Sequence, residues 1–70
     1  MSTTPSYTSK AVIKLLEERG FVLHRVKGSH HIFKSHDGSK RVIVPMHNRD
    51  LPKGTFYAIL KQAGIDKRSI

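Results

Sequence analysis

Between Thr8 and Ile65 the apolar positions change period twice, from a helical stripe to strand alternation and back. Val12, Leu15 and Leu16 follow the i, i+3, i+4 spacing of a helix that buries one side, with Ala11 beside them and Lys10, Lys14, Glu17 and Glu18 left for water. Thr8 or Ser9 is placed to cap its first turn, and Gly20 to end it as a left-handed residue after Arg19. From Phe21 to Val26 the residues turn β-branched and aromatic with period two, which predicts a strand that Gly28-Ser29 interrupts. A second strand is expected from His30 to Ser35 and a third from Lys40 or Arg41 to Val44, joined through Asp37-Gly38. Pro45 has no N–H for a ladder, so the third strand is expected to fade there.

Met46 to Leu51 is mostly polar and predicts a loop, with Pro52 suited to the first turn of a second helix. Phe56, Ile59, Leu60 and Ala63 form that helix's buried stripe. Gly64 and Ile65 then fit a Schellman ending in which Ile65 closes against Leu60. Met46 and Phe56 read as core. The order helix, three antiparallel strands, helix defines an α+β chain, and the economical packing lays both helices on one face of the three-stranded antiparallel sheet. Residues 1–7, with Pro5 and four Ser/Thr among the first six, predict a disordered N-terminal arm; residues 8–65 form the one domain, and 66–70 a tail.

Seventy residues allow one thin core, so any active site must lie on the surface. Thirteen Lys and Arg against five Asp and Glu give a formal charge of +8, which favours an anionic partner. No stretch approaches the roughly 20 apolar residues of a membrane span, and the polar start from Met1 to Ser9 lacks a signal peptide's apolar region. The absence of cysteine excludes disulfides and thiolate zinc sites. A cytoplasmic protein with no membrane partner is the expectation.

The chemistry concentrates in Lys27-Gly28-Ser29-His30-His31. Strand alternation puts His30, Ile32 and Lys34 on one face and His31, Phe33 and Ser35 on the other, so the two imidazoles cannot act together from a regular strand; a bulge at the glycine would change that count. A neutral imidazole can take a proton from a ribose 2′-OH and, once charged, give one to a leaving oxygen. Gly28 and Ser29 let backbone N–H groups approach a phosphate, while Lys27 with Lys34 or Arg41 supplies positive charge. Against this stands the plainer reading of His30 as a surface or structural residue, and of Gly28 as a turn residue only. His24 and His36 carry no assigned role, and His47 lies in a loop able to reach the site. No His-x-His or His-x₃-His pair is present, so neither a metal nor another cofactor is expected.

Four blocks in order carry a resemblance: Leu15-Leu16-Glu17-Glu18-Arg19-Gly20-Phe21; Lys27-Gly28-Ser29-His30-His31-Ile32-Phe33; Val42-Ile43-Val44-Pro45-Met46-His47; and Leu51-Pro52-Lys53-Gly54-Thr55 leading to Ile59-Leu60-Lys61-Gln62-Ala63-Gly64-Ile65. From Thr8 to about Ile65 the chain resembles the HicA toxin family. The resemblance implies a double-stranded-RNA-binding-domain-like fold, ribosome-independent mRNA endoribonuclease activity, and neutralisation by a HicB-type antitoxin in a bacterial or archaeal cell. It carries the catalytic role to His30, after the Gly-Ser pair, with His31 as the alternative because some members have Gly-Ser-Asn-His. Duplex-binding domains of this topology place basic residues at the start of the second helix, where this chain offers Lys53 alone. That weakens the competing reading, a non-catalytic double-stranded-RNA-binding module.

Overall fold

The computed structural model describes residues 7–46, 50–66 and 68. Helix α1 (Ser9–Glu18) is followed by strands β1 (Phe21–Lys27), β2 (His30–Ser35) and β3 (Arg41–Pro45), then helix α2 (Lys53–Ala63). Thr8 caps α1, its hydroxyl accepting the Ala11 N–H at 3.1 Å, and Gly20 follows at φ +88°. At the other end of the chain, α2 closes as the sequence indicates: the Ile65 N–H donates to the Leu60 carbonyl and the Gly64 N–H to that of Lys61, with Gly64 left-handed. Pro52 sits one position before the helix, as its N-cap.

The sheet is antiparallel in the order β1-β2-β3. Directly paired residues share a face, so His31, Phe33, Val42 and Val44 point one way and His30, Ile32, Lys34, Arg41 and Ile43 the other. Among the described residues only the first face is covered by helices. Phe33, Val42 and Val44 join Val12, Leu15 and Leu16 of α1 and Phe56, Ile59, Leu60 and Ala63 of α2 in one core, whereas Ile32 is buried outside it on the open face. Both helices thus lie on one side of the sheet. Pro45 extends β3 by one residue because its ring nitrogen faces the outer edge and interrupts no ladder bond.

Three residues contribute more to the core than their sequence context indicates. Leu51, in the expected loop, is buried; with Pro52 as N-cap, Leu51 and Phe56 have the spacing of a hydrophobic staple. Tyr7, the last residue of the expected arm, stacks on Phe56 with ring centroids 4.4 Å apart, and its carbonyl accepts the Leu51 N–H. Ser9, 1 % exposed, reaches 36 residues along the chain to donate from Oγ to the Pro45 carbonyl at 2.9 Å. Removing that hydroxyl leaves a carbonyl without its donor, so Ser9→Ala is expected to lower the urea-unfolding free energy by about 1–3 kcal/mol. Met46, expected in the core, is half-buried, and its N–H ties the β3 exit to the Ser29 carbonyl.

The β2–β3 turn is organised by one carboxylate. Asp37 Oδ1 accepts from the Ser39 N–H, the Ser39 hydroxyl and the Ser35 hydroxyl at 2.7–2.9 Å, while the Lys40 N–H donates to Ser35 Oγ. The Ser39 backbone bond first, then the two hydroxyls, hold the Asp37 carboxyl well below its ordinary value of 3.8, with the Lys40 charge adding to them. A depressed folded-state value means a contribution present above about pH 4 and lost as pH falls below it. Asp37→Asn is therefore expected to lower the melting temperature at neutral pH, with the gap to wild type narrowing as melts are repeated toward pH 3.

Candidate catalytic face

The face of the sheet without helices gathers most of the expected site. Gly28, at φ +59°, and Ser29, which stays out of the positive-φ region, form the two-residue link between β1 and β2, the pattern of a type II′ hairpin turn. A β-carbon at Gly28 would meet nothing within 4 Å, so the glycine serves backbone conformation and not close packing. Both residues are exposed, and neither N–H has a hydrogen-bond acceptor among the described residues. Two amides are thus free beside His30, which is itself exposed and directly opposite Lys27 on one side and Pro45 on the other.

The ladder is irregular at Leu23–Arg25 and not at the glycine, so His30 and His31 do point to opposite faces. The irregularity changes β1 itself. In a regular strand starting from buried Phe21, Arg25 and Lys27 would share the helix face; the extra residue, His24, turns both onto the open face, opposite Ile32 and His30. Arg25 is the cation of this candidate face that sequence reasoning missed. Its displacement has no sequence signal, because no glycine marks the bulge.

Lys34 and Arg41 lie on the same face, directly opposite one another. They stand four residues along β2 from His30, roughly 13 Å at strand rise. They cannot crowd around the same phosphate as Lys27 and instead extend the positive track along the sheet. Among the described strand residues no carboxylate lies on this face: they are Val22, Arg25, Lys27, His30, Ile32, Lys34, Arg41, Ile43 and Pro45. Lys53, exposed at the start of α2, belongs to the helix layer and is not brought to His30.

His31 differs in every respect. It is half-buried on the helix face between Val26 and Val44, and its Nδ1 is buried without a hydrogen-bond partner among the described residues. His24 is the bulged residue, without a partner on β2, and His36 stands in the exposed Asp37 turn beyond the far end of β2 from His30; His47 lies outside the described residues. Among the described residues no three His, Asp or Glu side chains come together.

Two helices on one side of an αβββα antiparallel sheet make this a double-stranded-RNA-binding-domain-like fold. Comparison with protein families takes the assignment further. The family described as the HicA toxin of bacterial toxin–antitoxin systems matches residues 9–65, and the chain belongs to it. No curated protein matches the chain. Membership makes the chain a toxin with a cognate antitoxin as its partner. Among the described residues no helix is long and apolar enough to cross a membrane.

Proposed function

We propose that this toxin is a metal-independent mRNA endoribonuclease that cuts RNA on the open face of its sheet. The observation that carries the proposal is the shared face of His30, Lys27, Arg25, Lys34 and Arg41, where no carboxylate among the described strand residues balances the charge. Like charges placed directly opposite one another, as Lys34 and Arg41 are, cost stability. A polyanion laid along the sheet removes that cost.

RNA brings its own nucleophile. His30 takes the proton from a 2′-OH, O2′ attacks the adjacent phosphorus, and the P–O5′ bond breaks as O5′ takes up a proton, leaving a 2′,3′-cyclic phosphate and a 5′-hydroxyl. The free Gly28 and Ser29 amides and the Lys27 ammonium are positioned to stabilise charge that builds on the non-bridging oxygens. Lys34, Arg41 and Arg25 hold the flanking backbone, and Lys53 serves at most an outlying phosphate. An enzyme acting on mRNA works in the cytoplasm, where a HicB-type antitoxin would have to cover this face.

A second reading has its own support. The unpartnered Nδ1 of His31 fits a ring that acts from the helix face, because a buried polar atom without a partner is rare unless it has work to do. Digestion of a single-stranded mRNA in EDTA, followed by analysis of the new ends, tests the chemistry. Cyclic phosphate ends are expected. Ends carrying a 3′-hydroxyl and a 5′-phosphate would contradict 2′-OH attack, and a protein that binds RNA without cutting it would be the duplex-binding module.

A further inference from the structure

The sheet has two outer strands, and they are finished differently. Along β3 the edge is closed: the Ile43 N–H donates to Gln62 Oε1 at 3.3 Å, Pro45 has no N–H, and its carbonyl is taken by Ser9. Along β1, among the described residues, it is open. The Ser35 and Met46 N–H groups bond across to Lys40 and Ser29, so odd-numbered positions of β2 serve β3 and even-numbered ones serve β1. By the same alternation Val22, Arg25 and Lys27 turn their backbone groups inward, and Val26 turns its own to the outer side.

Exposed apolar side chains collect on the same strand. Of five large ones among the described residues, three are on β1: Val22 at 58 %, Leu23 at 45 % and Val26 at 51 % exposure. Every polar residue of β1 is basic or imidazole: His24, Arg25 and Lys27. An unpaired edge with uncovered apolar residues is a template for another strand. A second copy of this chain is a poor occupant, since β1 against β1 would bring Arg25 and Lys27 close to the same cations of the other copy.

We propose that β1 is the docking edge for an extended strand of the antitoxin, one in which apolar residues alternate with Asp or Glu. The face pattern requires that alternation. Residues of the added strand on the helix side meet Val26 and Leu23, and those on the open side meet Arg25 and Lys27. The bulge at His24 confines regular pairing to the stretch beside the Gly28-Ser29 turn. A strand seated there sets its carboxylates among the cations next to His30 and competes with RNA for them. The partner part of the functional reading underlies this proposal; the nuclease part does not.

The test uses the full chain and its cognate antitoxin. Hydrogen exchange of free and bound toxin is expected to show the Val26 amide slowed at least tenfold in the complex. Val26→Pro removes an outward donor without touching the β1–β2 ladder, and it is expected to weaken antitoxin binding about tenfold or more in calorimetry. Leu23→Lys with Val26→Lys repeats the test by charge should the proline variant fail to fold. Unchanged Val26 exchange with unchanged affinity of a folded variant would overturn the proposal. So would protection confined to the helices, or self-association of the toxin that Val26→Pro abolishes, which would make a second copy the occupant. RNA cleavage, measured separately, is expected to persist in Val26→Pro; a wild-type protein that never cuts RNA would overturn the nuclease reading and leave the docking result standing.

Discussion

His30→Ala is expected to lower the rate of RNA cleavage roughly 10²–10⁴-fold, the range over which a positioned general acid–base group contributes. Affinity for RNA, read by gel shift, should change less than tenfold, because the proposed reading gives the task of holding the backbone to Arg25, Lys27, Lys34 and Arg41. His30 is exposed and outside the core, so its removal leaves the fold in place. His31→Ala is the necessary comparison. Its ring borders the core between Val26 and Val44, and the expected result is reduced stability with cleavage within tenfold of wild type. The reverse pattern, with His30→Ala active and His31→Ala folded but inert, would move the base to the helix face.

The second large effect is on folding. Phe33 is the largest of the fully buried side chains, sits on the central strand and belongs to the core that both helices cover. Truncation to alanine leaves a cavity that a domain this small cannot easily collapse around, at a cost of about 3–5 kcal/mol. A 70-residue domain has roughly 3–10 kcal/mol in total, at typical stability per residue. Phe33→Ala is therefore expected to be largely unfolded or to melt far below wild type by circular dichroism. Val22→Ala, on the open face, should stay within about 0.5 kcal/mol. Equal effects from the two would mean that the core is not where Phe33 lies.

Much of this architecture is local and can be read from short stretches of sequence. Thr8, Gly20, Gly64 and Ile65 mark helix ends because capping and left-handed closure depend on residues a few positions apart. The opposition of His30 and His31 follows from strand period once the ladder is regular at Gly28. What escapes such reading is tertiary. Ser9 looks like a capping residue, yet its hydroxyl is bonded to Pro45 across the molecule. Tyr7 sits in a polar, Ser/Thr-rich stretch, and contacts far along the chain, the ring of Phe56 and the Leu51 N–H, give it a place. The His24 bulge is the most consequential of these features: it carries Arg25 to the open face beside His30, and an apolar alternation cannot reveal a one-residue slip in the middle of an edge strand. Lys34 is legible on the His30 face from strand period, whereas the face of Arg41 depends on the β2–β3 register.

The use of the bare sheet face, and not the helix layer, as the RNA surface is the central claim. Amide chemical shifts measured while a single-stranded RNA with 2′-O-methyl groups throughout is titrated in test it most directly, since that ligand lacks the nucleophile and stays intact. The expected result is a perturbed track running from Gly28 and Ser29 through Lys27, His30, Arg25 and Ile32 to Lys34 and Arg41. Shifts centred instead on Lys53 and the exposed sides of α1 and α2, with the sheet face unmoved, would contradict it.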